Sequence, residues 1–245
     1  MKILITLFFF STFLNIKADN NLFNQANNLY AKEEYKAAQE IYEEIIQSGI
    51  LSPEVYYNLG NCYYKKNDWA NAIWCYEKSI QIKKQEKTVY NLNLAKLNII
   101  DKIDLLPKIF YKKWWNNLTQ LLTIKNWQIL TLLSIWIMFL YHLIINKRRL
   151  NYKIKILIIF PILLFFISLS SYYKNNQEEA IIMNSNIILT SAPSNNSTNL
   201  FSIHSGTKIE IIDEIGEWIN IRIANGNTGW MKRDGCKSLK KEVLI

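Results

Sequence analysis

Five side chains here are of the types that most often do covalent or metal chemistry: Cys62, Cys75, Cys236, His142 and His204. Their spacing gives them little to work with. No two cysteines form a CxxC pair, so the spacing of zinc ribbons and thioredoxin-like sites is absent. An oxidising compartment would permit one disulfide, and the odd count would leave a thiol over. Cys62 and Cys75 fall on adjacent predicted helices, so a Cys62–Cys75 bond and two buried free thiols both stay open. His142 and His204 stand alone, with no Ser, Cys or carboxylate at a suggestive spacing. Without a nucleophile–base or metal-ligand constellation, the expectation is a protein that is not an enzyme and uses no cofactor or metal.

The elements that could position a recognition site come next. A shift of 34 residues aligns Ala26 with Gly60, Asn27 with Asn61, Tyr30 with Tyr64, Tyr35 with Trp69, Ala38 with Ala72 and Tyr42 with Tyr76. Small residues let antiparallel helices approach, and aromatics fill the wedge between helix pairs. Leu59-Gly60, Tyr63, Trp69, Ala72, Tyr76 and Ser79 make residues 53–84 resemble the tetratricopeptide repeat, and residues 19–52 follow the same pattern. A third unit begins at Val89-Tyr90-Asn91-Leu92 and contains Ala95, but no second helix with the pattern follows. It reads as a closing helix for the stack.

The resemblance implies a peptide groove lined by the first helix of each pair. Asn27 and Asn61 would stand where a side-chain amide grips a ligand backbone, since an amide donates and accepts at once. Tyr30, Tyr64 and Lys65 would flank them. The alternative is that these are ordinary exposed polar residues of an Asn-rich chain. Leu94 and Ala95 occupy the places where basic residues would complete a carboxylate clamp.

Two apolar runs, Trp127–Ile145 and Ile156–Tyr173, contain no Asp, Glu, Lys or Arg. Each is about as long as a helix needs to cross the ~30 Å hydrocarbon core. The loop 146–155 between them carries Lys147, Arg148, Arg149, Lys153 and Lys155 and no acid, the mark of a cytoplasmic turn. Both flanks of such a hairpin share the extracytoplasmic side. Lys2, the apolar run Ile3–Leu14 and Ile16-Lys17-Ala18 read as a secretory signal over 1–18, with an uncleaved anchor as the alternative. Before the hairpin, segment 101–126 mixes Phe110, Tyr111, Trp114 and Trp115 with Lys108, Lys112 and Lys113. It reads as an amphipathic helix on the outer membrane face, the alternative being a further helix docked on the repeat. The formal charge of +9 is concentrated beside the apolar runs, which points to anionic lipid and away from nucleic acid.

After residue 173 the pattern alternates with period two. Ala180–Thr190, Lys208–Ile212, Trp218–Ile223 and Gly229-Trp230-Met231 read as strands. Gly206-Thr207, Ile215-Gly216-Glu217 and Asn225-Gly226-Asn227 read as turns. With Ala192-Pro193, Leu200-Phe201, Glu217-Trp218 and Gly229-Trp230, residues 174–245 resemble a bacterial SH3-like (SH3b) domain. Trp218 and Trp230 are its candidate site residues, as core or as ligand platforms.

The fold class expected is therefore a multidomain membrane protein. It has an all-α tetratricopeptide helical repeat over 19–100, a two-helix transmembrane hairpin over 127–145 and 156–173, and a C-terminal all-β SH3-like barrel. The order of these parts, with Tyr90–Ala95, Trp114-Trp115, Ser191-Ala192-Pro193 and Leu200–Ile209, resembles the BatE-type proteins of the Bacteroides aerotolerance (Bat) operons. That resemblance implies an inner-membrane scaffold in an envelope complex linked to aerotolerance or stress. Its implied partners are von Willebrand factor A-domain membrane proteins and, indirectly, a MoxR-type ATPase. The alternative function is a sensor that binds peptidoglycan through the SH3-like domain.

Overall fold

The computed structural model describes residues 21–103, 110–145, 152–175 and 177–240. The expected signal peptide and most of the basic loop lie outside the described residues. These fall into two compact units, one joining residues 21–103 to 178–240 and one comprising the segment between them.

The first unit opens with five helices: α1 (residues 21–31), α2 (Tyr35–Gln47), α3 (Pro53–Lys65), α4 (Trp69–Ile82) and α5 (Glu86–Lys96). Local chemistry sets their ends. The Ser52 hydroxyl accepts from the backbone N–H groups of Glu54 and Val55, with Pro53 at the first helical position. The Asp68 carboxylate accepts from the Asn71 N–H at 3.2 Å. The α1–α2 and α3–α4 turns each place one non-glycine residue in left-handed backbone, Glu33 and Asn67. The same 34-residue period therefore governs the turns. Ala26, Ala38 and Ala72 are wholly buried where helices cross, and Tyr42 and Tyr76 fill the wedges between them. At Gly60 a Cβ would stand 2.6 Å from the Tyr76 ring, so the small residue there is a packing requirement.

Beyond α5 the stack is completed by the other half of the unit. Seven antiparallel strands, β1 (Glu178–Ile182), β2 (Asn186–Thr190), β3 (Asn199–His204), β4 (Lys208–Ile215), β5 (Trp218–Arg222), β6 (Thr228–Lys232) and β7 (Cys236–Ser238), form one sheet in the order β3-β2-β6-β5-β4-β1-β7. Ile182, Leu189, Ile203, Ile209, Ile219, Ile221 and Met231 are its core. Ile181 and Leu239 instead join the core of the helical stack, with Met183 against them. The expected closing helix thus does not end the solenoid; the sheet covers what α4 and α5 leave open.

The sheet corrects the sequence reading in two places. Ala180–Thr190 is not one strand: it breaks at residues 183–185 into β1 and β2, a turn with neither Gly nor Pro to announce it. The turn after β3, which ends at His204, is Ser205-Gly206 instead of the expected Gly206-Thr207, with Gly206 at φ +88°. The β4–β5 and β5–β6 hairpins form at the expected Gly216 and Gly226.

The second unit holds α6 (Phe110–Gln120), α7 (Ile124–Ile145) and α8 (Tyr152–Asn175). The helix α8 begins inside the expected loop. Trp127, Leu164 and Ile167 form a small core, with Trp115 and Leu118 of α6 packed on it. The expected juxtamembrane segment is thus divided: residues 101–103 belong to the first unit, and α6 packs with α7 and α8 in the second. Among the described residues no helix is long and apolar enough to cross a membrane.

Candidate functional site

The residues expected to line a peptide groove fall at matched positions on α1 and α3, and each pair repeats the same contacts. The Asn27 side-chain carbonyl accepts from the Tyr42 hydroxyl at 2.6 Å and from the Asn58 amide at 2.8 Å. That of Asn61 accepts from the Tyr76 hydroxyl at 2.8 Å and the Asn91 amide at 2.9 Å. Each asparagine therefore ties its own second helix to the first helix of the next unit. Its acceptor is committed internally, so a further bond to a ligand would come from its NH2 group. Burial pushes the Tyr42 and Tyr76 hydroxyls well above the ordinary phenol range, so both act as neutral donors.

Tyr30 and Tyr64 are also periodic partners. Tyr30 meets Tyr35 edge-to-face with ring centroids 5.2 Å apart, and Tyr64 meets Trp69 in the same way at 5.1 Å. Of the five groove candidates, Lys65 alone is exposed. Lys87 lies over the Tyr57 ring at 4.5 Å, and Asn91 also donates to the Tyr57 hydroxyl at 3.2 Å. The third rung of this surface is thus supplied by α5.

On the sheet, Trp218 and Trp230 stand on the same outward face of β5 and β6, half-buried, away from the inward Ile219, Ile221 and Met231. Trp230 is opposite Asn220, and Trp218 is opposite Lys232, whose ammonium lies 5.8 Å from the indole centroid. The Asn220 side-chain oxygen is buried without a hydrogen-bond partner among the described residues.

The densest polar site, unseen in the sequence, joins repeat to sheet. Asp101 accepts from the His204 backbone N–H at 2.6 Å and the Thr207 hydroxyl at 2.6 Å, and its other oxygen meets the His204 Nδ1 at 2.8 Å. Burial alone would raise the Asp101 carboxyl; the bonds from Thr207 and His204 outweigh it and hold the group below its ordinary range. Nearby, buried Glu77 pairs with Lys96 at 3.0 Å and Lys208 at 3.1 Å, and Lys208 also reaches Glu179 at 2.8 Å. At Gly206 a Cβ would collide with the Ile99 side chain and lie 3.3 Å from Ile73, so sheet turn and helix exit are in direct apposition. His204 does have a carboxylate partner; it stands 103 residues upstream, where no local spacing could reveal it.

The three cysteines are free. Cys62 and Cys75 are buried and unbridged, which resolves the choice left open by the sequence.

Residues 53–85 match the family model of the tetratricopeptide repeat, and residues 185–235 match that of the bacterial SH3 domain. No curated protein matches the chain. The chain carries a tetratricopeptide repeat followed by a bacterial SH3 domain, which together suggest a role in protein interaction or cell-wall binding.

Proposed function

We propose that this chain is a non-catalytic, membrane-anchored adaptor that presents its repeat and its SH3 domain on the extracytoplasmic side. The observation that carries the reading is that residues 21–103 and 178–240 fold as one unit. Both ends of the α6–α8 excursion therefore return to one body, and an even number of membrane crossings satisfies that connection. The helices α7 and α8 have 22 and 24 residues, or about 33–36 Å at 1.5 Å per residue. Their Leu132, Leu133, Phe165 and Phe166 side chains point outward, where lipid would cover them. Pro161 within α8 is compatible with a membrane helix.

As an adaptor, the unit holds two surfaces at fixed spacing. A partner that engages both gains effective concentration without tether entropy. The Bat-type assembly, with von Willebrand A-domain membrane proteins and a MoxR-type ATPase as partners, is the specific form of this proposal. The test is affinity purification of the membrane-extracted full chain, tagged at Ile245, followed by mass spectrometry. Recovery of A-domain membrane proteins is the expected result. Recovery of muropeptides or cell-wall enzymes alone would overturn it.

The bacterial SH3 match favours a second reading, peptidoglycan binding through the Trp218–Trp230 face. Co-sedimentation of the full chain with purified sacculi, abolished by Trp230→Ala, would support that reading.

A further inference from the structure

The third unit of the repeat has a first helix, α5, and among the described residues no second one; the unit before it shows what a second helix would touch. On α3, Tyr57, Gly60 and Tyr64 face α4. Tyr57 meets the Tyr76 ring with centroids 6.1 Å apart, a Cβ at Gly60 would strike that same ring, and Tyr64 meets Trp69 at 5.1 Å. The Asn91 amide bonds Asn61 as the Asn58 amide bonds Asn27, so α5 repeats α3 at a spacing of 33 residues. That spacing carries Tyr57, Gly60 and Tyr64 onto Tyr90, Asn93 and Leu97. All three are exposed, Tyr90 by 64% and Leu97 by 69%, and Ile100 extends the stripe at 69%. The remaining sides of α5 are occupied: Thr88, Leu92 and Ala95 are buried, and Asn91 is bonded to α3. The stripe is therefore the surface that α4 covers on α3, left bare on α5.

We propose that this stripe binds an amphipathic, acid-flanked helix of a partner protein, which completes the third repeat in trans. The α3–α4 pair sets its orientation. Trp69, at the start of α4, meets Tyr64 near the end of α3, and Tyr76, seven residues on, meets Tyr57 near its start. An occupant placed likewise runs antiparallel to α5 and sets a large apolar residue against Leu97. Seven residues on it needs a residue smaller than tyrosine, because Asn93 has the side chain that Gly60 lacks. Apolar anchors at such helical intervals are how a helix is read by a groove. Charge sets the flanks. From residue 83 to 102 the exposed charges are Lys83, Lys84, Lys87 and Lys102 against Glu86. Lys96 is engaged by Glu77, and Asp101 by His204 and Thr207. Asp or Glu at both ends of the occupant complements lysines at both ends of the stripe. The same charges argue against a second copy of this chain, since an antiparallel α5–α5 pair would set Lys83 and Lys84 of one against Lys102 of the other. The inference rests on the repeat geometry and holds whether or not α7 and α8 cross a membrane.

The test uses the full chain in mild detergent and fluorescein-labelled peptides of the length of α4, 14 residues, stapled because so short a helix is marginal alone. The first peptide carries Trp to face Leu97, Ala seven residues on to face Asn93, and Glu at both ends. The second replaces each Glu by Lys, and the third replaces that Ala by Tyr. Fluorescence anisotropy should show saturable binding of the first peptide and about tenfold weaker binding of the other two. Leu97→Asp and Tyr90→Ala should each weaken the first peptide about tenfold or more, as loss of an interface anchor does, at unchanged melting temperature. No binding, equal binding of the three peptides, or binding unaltered in both variants would overturn the site. A native mass of two chains that returns to one in Leu97→Asp would name a second copy as the occupant and overturn the partner helix. A melting temperature lowered by Leu97→Asp would show that the chain covers the stripe itself, and would overturn it equally. The partners recovered by the tagged chain judge the adaptor reading separately from all of these outcomes.

Discussion

The indole N–H of Trp74, on the second helix of the matched repeat, donates to the backbone carbonyl of Ser238 at 2.9 Å across 164 residues of chain. The Lys237 ammonium lies 3.7 Å from the centroid of that ring. The ring also meets Tyr56 edge-to-face, with centroids 5.9 Å apart. One side chain thus belongs at once to the repeat interior and to the last strand of the sheet. A two-repeat solenoid exposes an apolar end that must be capped. Here the cap is a second domain, delivered only after the whole helical excursion has been made.

Trp74→Ala should therefore destabilise both modules together. Truncating a buried large aromatic costs about 3–5 kcal/mol. Urea unfolding of the full chain, followed by helical circular dichroism and by a probe in the sheet, should show the two signals shifting to lower midpoint as one transition. A loss confined to the helical signal would show that the sheet does not depend on the repeat.

The junction also sets a pH dependence. Asp101 has its folded pKa depressed: burial opposes ionisation, and the bonds from Thr207 and His204 outweigh it. Such a group stabilises fully above its unfolded pKa of about 3.9, and that share is lost as pH falls through the lower folded value. Glu77 has the same sign, its burial outweighed by Lys208 and Lys96. Lys208 has its pKa raised, because Glu77 and Glu179 outweigh its burial. Its share is lost only as pH rises above the ordinary lysine range of about 10.4. The first unit should keep its stability from mildly acidic to mildly alkaline pH and lose it below about pH 4. Asp101→Asn should lower the neutral plateau by about 1.5–3 kcal/mol, the worth of a hydrogen bond to a charged group, and flatten the acid limb. Urea midpoints measured across pH decide this; an acid limb as steep in the variant as in the parent would assign it to other carboxylates.

What was legible in the sequence was local or periodic. The 34-residue alignment of Ala26 with Gly60 and Tyr42 with Tyr76 marked the helix crossings, because close approach demands small residues at fixed intervals. Gly206, Gly216 and Gly226 marked turns because only glycine adopts their backbone cheaply. The β1–β2 break was hidden because Met183-Asn184-Ser185 interrupts an apolar run without a glycine or proline. Asp101, Glu77 and Lys208 gave no signal, since their partners come from distant segments and pairing of that kind has no period. Asn27 and Asn61 align as matched amides at the 34-residue shift. Their carbonyls turn inward because a buried tyrosine hydroxyl needs an acceptor.

That inward bond separates structure from binding at the groove. Asn61→Ala removes the acceptor of the fully buried Tyr76 hydroxyl, which should cost about 1–3 kcal/mol. Asn27→Ala should act alike through Tyr42. Lys65→Ala, on an exposed side chain, should leave stability within about 0.5 kcal/mol. Thermal melts and partner pull-down of the three variants decide the roles. If Lys65→Ala weakens partner capture at unchanged melting temperature, the groove reading gains its first binding residue. If all three variants melt with the parent, the asparagine ladder contributes nothing.

The thiols make the last prediction. A thiolate, not a thiol, reacts with alkylating agents, and burial disfavours the thiolate. Burial pushes Cys62 up to about 12 and Cys75 higher still, while half-buried Cys236 is pushed to about 11. The Cys236 thiol also lies 3.4 Å from the Arg233 carbonyl, which it meets as a donor. Iodoacetamide at mildly alkaline pH should label the native chain slowly, Cys236 first, with Cys62 and Cys75 labelled only as the repeat unfolds. Unfolding in urea without reductant should then expose three alkylatable thiols by mass. A single label under those conditions would mean that Cys62 and Cys75 are bonded, against the two free thiols of this structure.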